Sequence, residues 1–426
     1  MQTTNIKKYD KYKDSGIDWI GEIPQDWNVT KIGQVYDERN EKVSDKEYAA
    51  LSVTKNGIVP QLETAAKTDN GDNRKLVKNN DFVINSRSDR RGSCGISEYN
   101  GSVSLINTVL APRNNMCNKY YNYTFKSECF ADEFYKWGNG IVDDLWSTKW
   151  SAMKNIYIPH PTQTKQQQIA DYLDKKCAEI DRVVETQKNI IEKLKEYKQA
   201  VITETVTKGL DKSVRLKYSG IEWIGKIPEH WAVCKIKHCV IFNPCYSENL
   251  KKDTLVSFAP MDCLTNCNLN CKESTIEKIS SGYTYFAEED IIMAKVTPCF
   301  ENGNIAIAKN LLNRIGFGTS ELYVFRAKNI NNKFLLYFLQ NRIFKDMAIS
   351  TMYGTGGLKR VSSNFVKNYK FGFPRKNEQQ NIADYLDKKC SEIDTAISEK
   401  EQLIEKLTEY KKSLIYECVT GKRKVA

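Results

Sequence analysis

The side chains of this 426-residue chain best suited to binding chemistry are basic residues set among glycines and serines. In residues 86–92, Arg87, Arg90 and Arg91 fall within five positions. Guanidinium forks fit phosphate oxygens and the O6/N7 edge of guanine, so we expect all three arginines to contact nucleic acid. The formal net charge of +11 favours a polyanionic partner. The alternative is a solvated surface, the usual fate of a run of charges.

A second basic region follows the apolar run at residues 290–294. It begins with Lys295 and Thr297, and a glycine-rich stretch further on leads to Lys359 and Arg360. By the same reasoning, these four side chains are predicted to contact nucleic acid, Thr297 through its hydroxyl group. The two regions together are the candidate binding surface.

Patterns typical of catalysis are scarce. The three histidines form no H-E-x-x-H or comparable metal-binding motif. Residues 243–246, Asn-Pro-Cys-Tyr, resemble the Asn/Asp-Pro-Pro-aromatic motif with which adenine-N6 methyltransferases hold the target base. Cys245 replaces the second proline, however, and no glycine-rich S-adenosylmethionine loop precedes it. Asn-Pro commonly forms a turn, so we predict a turn here and no catalytic residue.

The 13 cysteines are expected to be reduced thiols, because the N-terminus has no secretion signal. Cys263, Cys267 and Cys271 have C-x3-C-x3-C spacing, which differs from the paired C-x2-C of structural zinc sites. We therefore predict no metal site. Whether the cysteines between residues 234 and 271 bind a metal stays open at this point.

The elements that position these residues are written twice. Residues 16–27 return as residues 220–231 with few changes, and residues 169–177 are identical to residues 382–390. The stretches between these blocks, about 28–158 and 232–372, hardly resemble each other. Each half thus consists of a shared opening motif, a private middle and a shared closing segment.

The closing segments are predicted to be long helices. Apolar residues follow a heptad in both copies, which is typical of a coiled coil. The predicted core residues are Leu173, Ile180, Val184, Ile191 and Leu194 in the first copy, and Leu386, Ile393, Ile397, Ile404 and Leu407 in the second. Because the first helix leads away to the second half and the second returns, we expect an antiparallel pair with a pseudo-twofold internal repeat. Gln187 and Lys400 would form a polar layer near its midpoint.

The private middles are predicted to be α+β. Apolar, β-branched runs at residues 81–85 and 290–296 indicate strands, and residues 133–136 and 333–343 indicate helices. We predict globular domains at residues 1–160 and 211–374, with coiled-coil helices at residues 161–210 and 375–426. No apolar run approaches the roughly 20 residues that span a bilayer, so we expect a cytoplasmic protein without membrane contact.

The repeated opening motif and the twin Gln-Gln-x-Ile-Ala-Asp-Tyr-Leu-Asp helices resemble the specificity subunits of Type I restriction–modification systems. The resemblance covers nearly the whole chain. Residues 281–286 with 294–303 look like one recurring class of target-recognition domain, and residues 84–92 look like another.

The resemblance implies two target-recognition domains that read a bipartite, asymmetric sequence of double-stranded DNA, with the coiled coil as spacer. It also implies two methyltransferase subunits and ATP-driven restriction subunits as partners, which would bind S-adenosylmethionine, ATP and Mg²⁺. The chain itself would hold no cofactor. Two other interpretations stay open: a stand-alone DNA methyltransferase or nuclease, and a coiled-coil scaffold that does not bind DNA.

Overall fold

The computed structural model describes residues 7–63, 71–140, 146–246, 251–279, 282–354 and 357–425. Thr355 and Gly356, in the glycine-rich stretch before Lys359, lie outside the described residues, as does Ser281. The chain divides into two units: unit 1 comprises residues 1–188 and 401–426, and unit 2 comprises residues 189–400. None of the helices in the described ranges is both long and apolar enough to cross a membrane.

Unit 1 is a mixed α+β unit. Its strands are β1 Tyr12–Asp14, β2 Glu22–Pro24, β3 Asn28–Lys31, β4 Tyr36–Glu38, β5 Lys42–Val43, β6 Leu51–Thr54, β7 Gly57–Pro60, β8 Arg74–Val77, β9 Phe82–Asn85, β10 Cys94–Ile96, β11 Gly101–Val103, β12 Asn107–Pro112 and β13 Tyr157–His160. Its helices are α1 Ile32–Val35, α2 Asn118–Lys126, α3 Glu128–Lys136, α4 Trp150–Met153 and the start of α5 Gln163–Lys208. The central antiparallel sheet has the order β10-β9-β12-β4.

Unit 2 repeats this plan with a different second sheet. Its strands are β14 Leu216–Tyr218, β15 Lys226–Pro228, β16 Ala232–Lys235, β17 Val240–Phe242, β18 Leu255–Ala259, β19 Leu264–Thr265, β20 Asn268–Leu269, β21 Lys272–Thr275, β22 Thr284–Ala287, β23 Ile291–Ala294, β24 Ile305–Ile307, β25 Ile315–Gly318, β26 Leu322–Ala327 and β27 Lys370–Phe373. Its helices are α6 Ile236–Cys239, α7 Asn332–Gln340, α8 Arg342–Ser350, α9 Ser363–Asn368 and the start of α10 Lys376–Val419.

The central sheet of unit 2 corresponds strand by strand to that of unit 1. Its order is β24-β23-β26-β17, so β23 and β26 take the places of β9 and β12. All four residues of β9 and of β23 are buried, as expected for a central strand covered on both faces. The second sheets differ: unit 1 has three strands, β11-β8-β5, and unit 2 has four, β21-β18-β25-β22. We call the central sheet that the two units share the frame, because the segments that differ between the units are attached to it.

The long helices run antiparallel. In unit 1 the start of α5 and the end of α10 share one core, in which Leu173, Ile180 and Leu414 are buried. In unit 2 the end of α5 and the start of α10 share another, with Ile202 and Leu386. An ion pair of Asp181 with Lys411 in unit 1 (2.7 Å) has its repeat in unit 2 as Asp394 with Lys198 (2.7 Å).

The remaining predicted core positions of the helices are buried to different degrees. Ile191 and Ile393 are buried, whereas the others keep part of their surface exposed: Val184, Leu194, Ile397, Ile404 and Leu407. Their assignment to a coiled-coil seam stays a prediction.

The predicted strands at residues 81–85 and 290–296 are confirmed as β9 and β23. The prediction of one continuous helix over residues 333–343 was wrong. Asn341 ends α7 and caps α8, because its side-chain oxygen accepts a hydrogen bond from the backbone N–H of Phe344 at 3.0 Å. An asparagine in an apolar helical pattern favours such a cap over a helix interior.

Candidate nucleic-acid interface

Both basic regions leave the frame at the same point. The first loop, residues 86–93, joins β9 to β10, and the second loop, residues 295–304, joins β23 to β24. The Asn85 N–H donates to the Ser93 carbonyl at 2.9 Å, and the Ala294 N–H donates to the Asn304 carbonyl at the same distance. The two loops are therefore equivalent in position, although the second is two residues longer.

In unit 1 the first loop is held by a segment from far along the chain. The Ser88 N–H donates to the Trp146 carbonyl at 3.1 Å, and the Thr148 N–H donates to the Ser86 carbonyl at 3.0 Å. The same contact brings the loop beside α4 and its flanking lysines. Arg87 is thus fixed at the base of the loop rather than at its tip.

A groove of about 600 Å³ lies between the first loop and this segment. Its lining includes Lys75, Arg87, Ile106, Lys149, Trp150 and Lys154. Glu38 pairs with Lys75 at 3.3 Å, but none of the other three cations has an ion pair among the described residues. The groove therefore presents a net positive charge beside one aromatic ring. Phosphate oxygens and base edges are the partners that such a surface fits.

Arg90 and Arg91 do not line this groove. Arg90 Nε lies 3.4 Å from the carboxylate of Asp89, and Arg91 pairs with Asp132 on α3. All four side chains are substantially exposed, so these pairs are weak and leave the guanidinium groups accessible. Contact of Arg90 and Arg91 with DNA stays a prediction.

In unit 2 the second loop is held in the corresponding way, with different chemistry. The Thr297 N–H donates to the Lys359 carbonyl at 2.9 Å, which brings together two segments about 60 residues apart. The Thr297 hydroxyl donates to the Gly357 carbonyl at 2.9 Å and accepts from the Lys359 N–H at 3.0 Å. The Thr297 hydroxyl thus donates its proton within the protein. In this conformation it holds the two segments together.

One cation beside the second loop, Arg360 on the segment that holds the loop, is matched by a carboxylate of unit 2. Arg360 binds Glu321 with both Nε and an Nη group, the shortest contact being 2.7 Å. This hydrogen bonding holds the pKa of Glu321 below its usual range. The Lys295 ammonium group lies 5.3 Å from the centre of the Tyr323 ring, and Lys359 is exposed. Of the four predicted contacts here, Lys359 is the freest to meet a ligand.

Sequence reasoning missed Lys75, Lys149 and Lys154 as members of the surface. Lys75 lies in a buried strand, and Lys149 and Lys154 flank a four-residue helix, so none stands in a basic run. Two tryptophans close together, Trp146 and Trp150, with Lys149 between them, were the available local signal.

In the described residues Asn243 lies in a bend that follows β17, whereas the sequence predicts a turn. The backbone N–H of Asn243 donates to the Val324 carbonyl at 2.8 Å, and its side-chain oxygen accepts from the Val324 N–H at 2.9 Å. Arg39 makes the same backbone contact to Val109 in unit 1, at 2.9 Å. The motif therefore terminates a strand pair at a frame position, and its amide oxygen is occupied.

The cysteine cluster does not converge on one point. Within the described ranges, no group of three or more His, Cys, Asp or Glu side chains is placed to hold a metal ion. The closest thiols are those of Cys234 and Cys239, 3.1 Å apart, and burial raises the pKa of Cys239 to about 12. In the protonated form, this thiol packs as a small apolar group.

Comparison with known proteins shows which proteins this chain is similar to. A family model described as the Type I restriction modification DNA specificity domain matches residues 232–408. The Type I restriction enzyme EcoEI specificity subunit of Escherichia coli is 32% identical over 219 residues, which are 48% of this chain and 37% of that protein. The EcoAI specificity subunit of the same organism is 34% identical over 43% of this chain and 33% of its own length. The chain thus spans about a third of the length of these two relatives.

Other similarities extend over the full chain. The MjaVIII specificity subunit of Methanocaldococcus jannaschii is 26% identical over 95% of this chain and 94% of its own length. A chain from a structural study of assembly and conformational transition in the type I R-M system has the same fold, with a TM-score of 0.72 at 10% identity over 93% of this chain and 98% of that one. The HsdS subunit of Thermoanaerobacter tengcongensis has a TM-score of 0.54 at 13% identity over 94% of this chain and 98% of its own.

Residues 232–408 are thus similar to the DNA specificity domain of Type I restriction–modification. Over nearly its whole length, the chain has the fold of these two solved proteins.

Proposed function

We propose that this chain is the DNA-binding specificity subunit of a Type I restriction–modification system, and that each unit reads one half of a bipartite, asymmetric DNA sequence. The observation that carries the proposal is the mounting of two unlike loops at the same point of two like sheets. Equal frames with different side chains present different hydrogen-bonding groups to DNA. They are suited to reading two different half-sites.

The groove of unit 1 supplies the most direct chemistry. Arg87 offers a guanidinium fork without a carboxylate partner in the described part of the chain, which suits the O6/N7 edge of guanine. Lys149 and Lys154 flank it and would bind the phosphates on either side. In unit 2, Lys359 and Lys295 would take the phosphate-binding role, with Arg360 held back by Glu321.

The chain itself would carry out no catalysis. By its similarity to specificity subunits, it would direct two methyltransferase subunits and the restriction subunits to the DNA site in the cytoplasm. S-adenosylmethionine, ATP and Mg²⁺ would be bound by those partners, because neither repeat half supplies a recognisable cofactor motif.

The decisive experiment is methylation by the reconstituted complex. The full chain would be assembled with its methyltransferase subunits, and methylated sites in genomic DNA would be mapped. We expect one split sequence to be modified, and Arg87→Ala to weaken binding of that site by about 10- to 100-fold, the loss expected for one base contact. Lys149→Ala should weaken binding to all sequences and lower the salt slope by about 1.

Lys193→Ala is the matched control, since it removes one exposed charge from α5 outside both loops. Equal losses for Arg87→Ala and Lys193→Ala would contradict the assignment of the groove. Methyl transfer by the purified chain alone would instead support a stand-alone methyltransferase. If the complete complex bound DNA without sequence preference, this result would argue against sequence reading by either unit.

A further inference from the structure

A second cavity, unrelated to the basic groove of unit 1, lies in unit 2 beside the long helices. We propose that it is a binding site for a small organic anion with an apolar body. The cavity has a volume of about 500 Å³, within the range of sites that take small ligands. It is bounded by α5, α10, the end of α7 and the second half of the second loop.

The floor of the cavity is apolar. Met293, Phe300 and Ile305 line it from the frame and loop, and Ile202 and Leu339 line it from the helices. All five side chains are 3% exposed or less, so they belong to the hydrophobic core of unit 2 and form a fixed surface. Such a floor would accept a planar or aliphatic group of the ligand, because binding removes the apolar surface of that group from water.

The rim of the cavity carries more positive than negative charge. Lys195, Lys198 and Lys345 line it, whereas Asp394 is the one carboxylate among the lining residues. Asp394 is engaged with Lys198 at 2.7 Å, and Lys195 has a partner outside the cavity, Glu192 at 2.9 Å. The charge that is left unmatched is that of Lys345.

Lys345 is half-buried and poorly compensated. Its ammonium group donates to the Glu301 carbonyl at 3.1 Å, while the neighbouring Asp346 carboxylate pairs with Arg342. In the described part of the chain, no carboxylate lies within ion-pair distance of Lys345. Burial lowers the pKa of Lys345, and an anion in the cavity would offset that loss of solvation.

The loop above Lys345 supplies neutral donors. Gly303 has a φ of +76°, which folds the chain back so that Asn302 and Asn304 flank the cavity. A β-carbon on Gly303 would lie 3.5 Å from the Lys345 nitrogen, which shows how closely the turn covers the charge. The amide groups of both asparagines make no hydrogen bond with another described residue. Each can therefore donate to an anion that Lys345 attracts.

Unit 1 does not repeat this arrangement. Helices α3 and α8 both begin after a capping residue, Ser127 and Asn341. The fourth residue after the cap is Ala131 in unit 1 and Lys345 in unit 2. The proposed site is thus private to one unit and is not a requirement of the shared frame.

Calorimetric titration of the full chain with phenyl phosphate tests the proposal. We expect one molecule to bind per chain, with inorganic phosphate at least tenfold weaker and phenol without measurable binding. Lys345→Gln should weaken phenyl phosphate binding at least tenfold. Lys309→Gln, an exposed lysine elsewhere in unit 2, is the matched control and should change nothing.

Asn302→Asp provides a second variant on an exposed turn, so it keeps the test valid if Lys345→Gln does not fold. The new carboxylate should repel the probe and weaken its binding by a similar factor. Absence of phenyl phosphate binding, or equal binding by Lys345→Gln and Lys309→Gln, would overturn the proposal. Equal affinity for phenol would show an apolar cavity without an anion site, and would also overturn it.

Discussion

The first and second loops differ in how their charges are balanced. The backbone N–H of Ser86 donates to the carbonyl of Ile106 at 3.3 Å, and that of Lys295 donates to the carbonyl of Glu321 at 3.0 Å. Ile106 and Glu321 therefore stand at equivalent places beside their loops. Where unit 1 has an apolar side chain, unit 2 has a carboxylate that binds Arg360.

One substitution at a frame position thus changes what the loop can offer. In the described part of unit 1, three of the four cations of the groove, Arg87, Lys149 and Lys154, lack such a partner, so they are available to phosphates and guanine edges. In unit 2 the arginine is held by Glu321, and binding of phosphates is left to Lys359 and Lys295. The comparison teaches that the frame fixes where a loop stands, while its neighbours decide which charges are free.

Substitution of the two buried aspartates of the frame should lower the stability of the units most. Asp81 and Asp290, both with 2% exposed side chains, each bind an arginine with both oxygens. Arg39 directly follows β4, whereas Arg326 lies in β26. We expect Asp81→Asn and Asp290→Asn each to lower the free energy of unfolding by about 3 kcal/mol, because a buried charge pair loses one partner. Urea denaturation with hydrogen exchange resolved by unit is the measurement.

Asp132→Asn is the control for these variants. Asp132 also pairs with an arginine, Arg91, but both side chains are about half exposed, so we expect a loss below about 1 kcal/mol. If Asp290→Asn were as mild as Asp132→Asn, the two units would not share a frame that depends on this ion pair.

The charge balance of the second loop can be altered without touching the frame. Glu321→Gln should release Arg360, so the reconstituted complex should bind DNA more tightly by about three- to tenfold, with a salt slope steeper by about 1. Binding measured at several salt concentrations checks both effects. Ile106→Val, at the equivalent place in unit 1, is the matched control. Weaker binding by Glu321→Gln would mean that the carboxylate itself contacts DNA.

Much of the architecture could be predicted because it is repeated. The opening motifs and the long helices recur in the sequence, and heptad spacing gives the helices without knowledge of their neighbours. The central strands β9 and β23 do not recur, but their apolar, β-branched runs predict them. The basic loops stood out by composition. The glycines near their ends, Gly92 and Gly303, both have a φ of +76°. Because glycine favours such a conformation, the local sequence also indicates these turns.

The pairings between distant segments could not be predicted. Neither Glu321 beside Arg360 nor Lys149 beside Arg87 follows from a local pattern, because each contact depends on how a strand and a helix pack in three dimensions. The break at Asn341 was missed for a related reason. An apolar helical period continues through it, and only the capping bond shows that the helix ends.

The two units also differ at one titratable position, the last residue of the strands β13 and β27. His160 ends β13 in unit 1, and Phe373 ends the equivalent strand β27 in unit 2. Burial lowers the pKa of His160, and its Nδ1 lies 2.6 Å from the Tyr121 hydroxyl. Burial also raises the pKa of Tyr121, so the hydroxyl keeps its proton and can donate it only to an unprotonated Nδ1.

Because the pKa of His160 is lower in the folded chain than in the unfolded chain, the unfolded state binds more protons below about pH 6.5. Unit 1 should therefore lose stability as the pH falls from 7 to 5, beyond any loss in unit 2. Unfolding by urea at several pH values, compared between wild type and His160→Phe, isolates the effect. The variant reproduces the residue of unit 2 and should have a shallower pH dependence in unit 1. An unchanged pH dependence would show that the histidine does not distinguish the two frames.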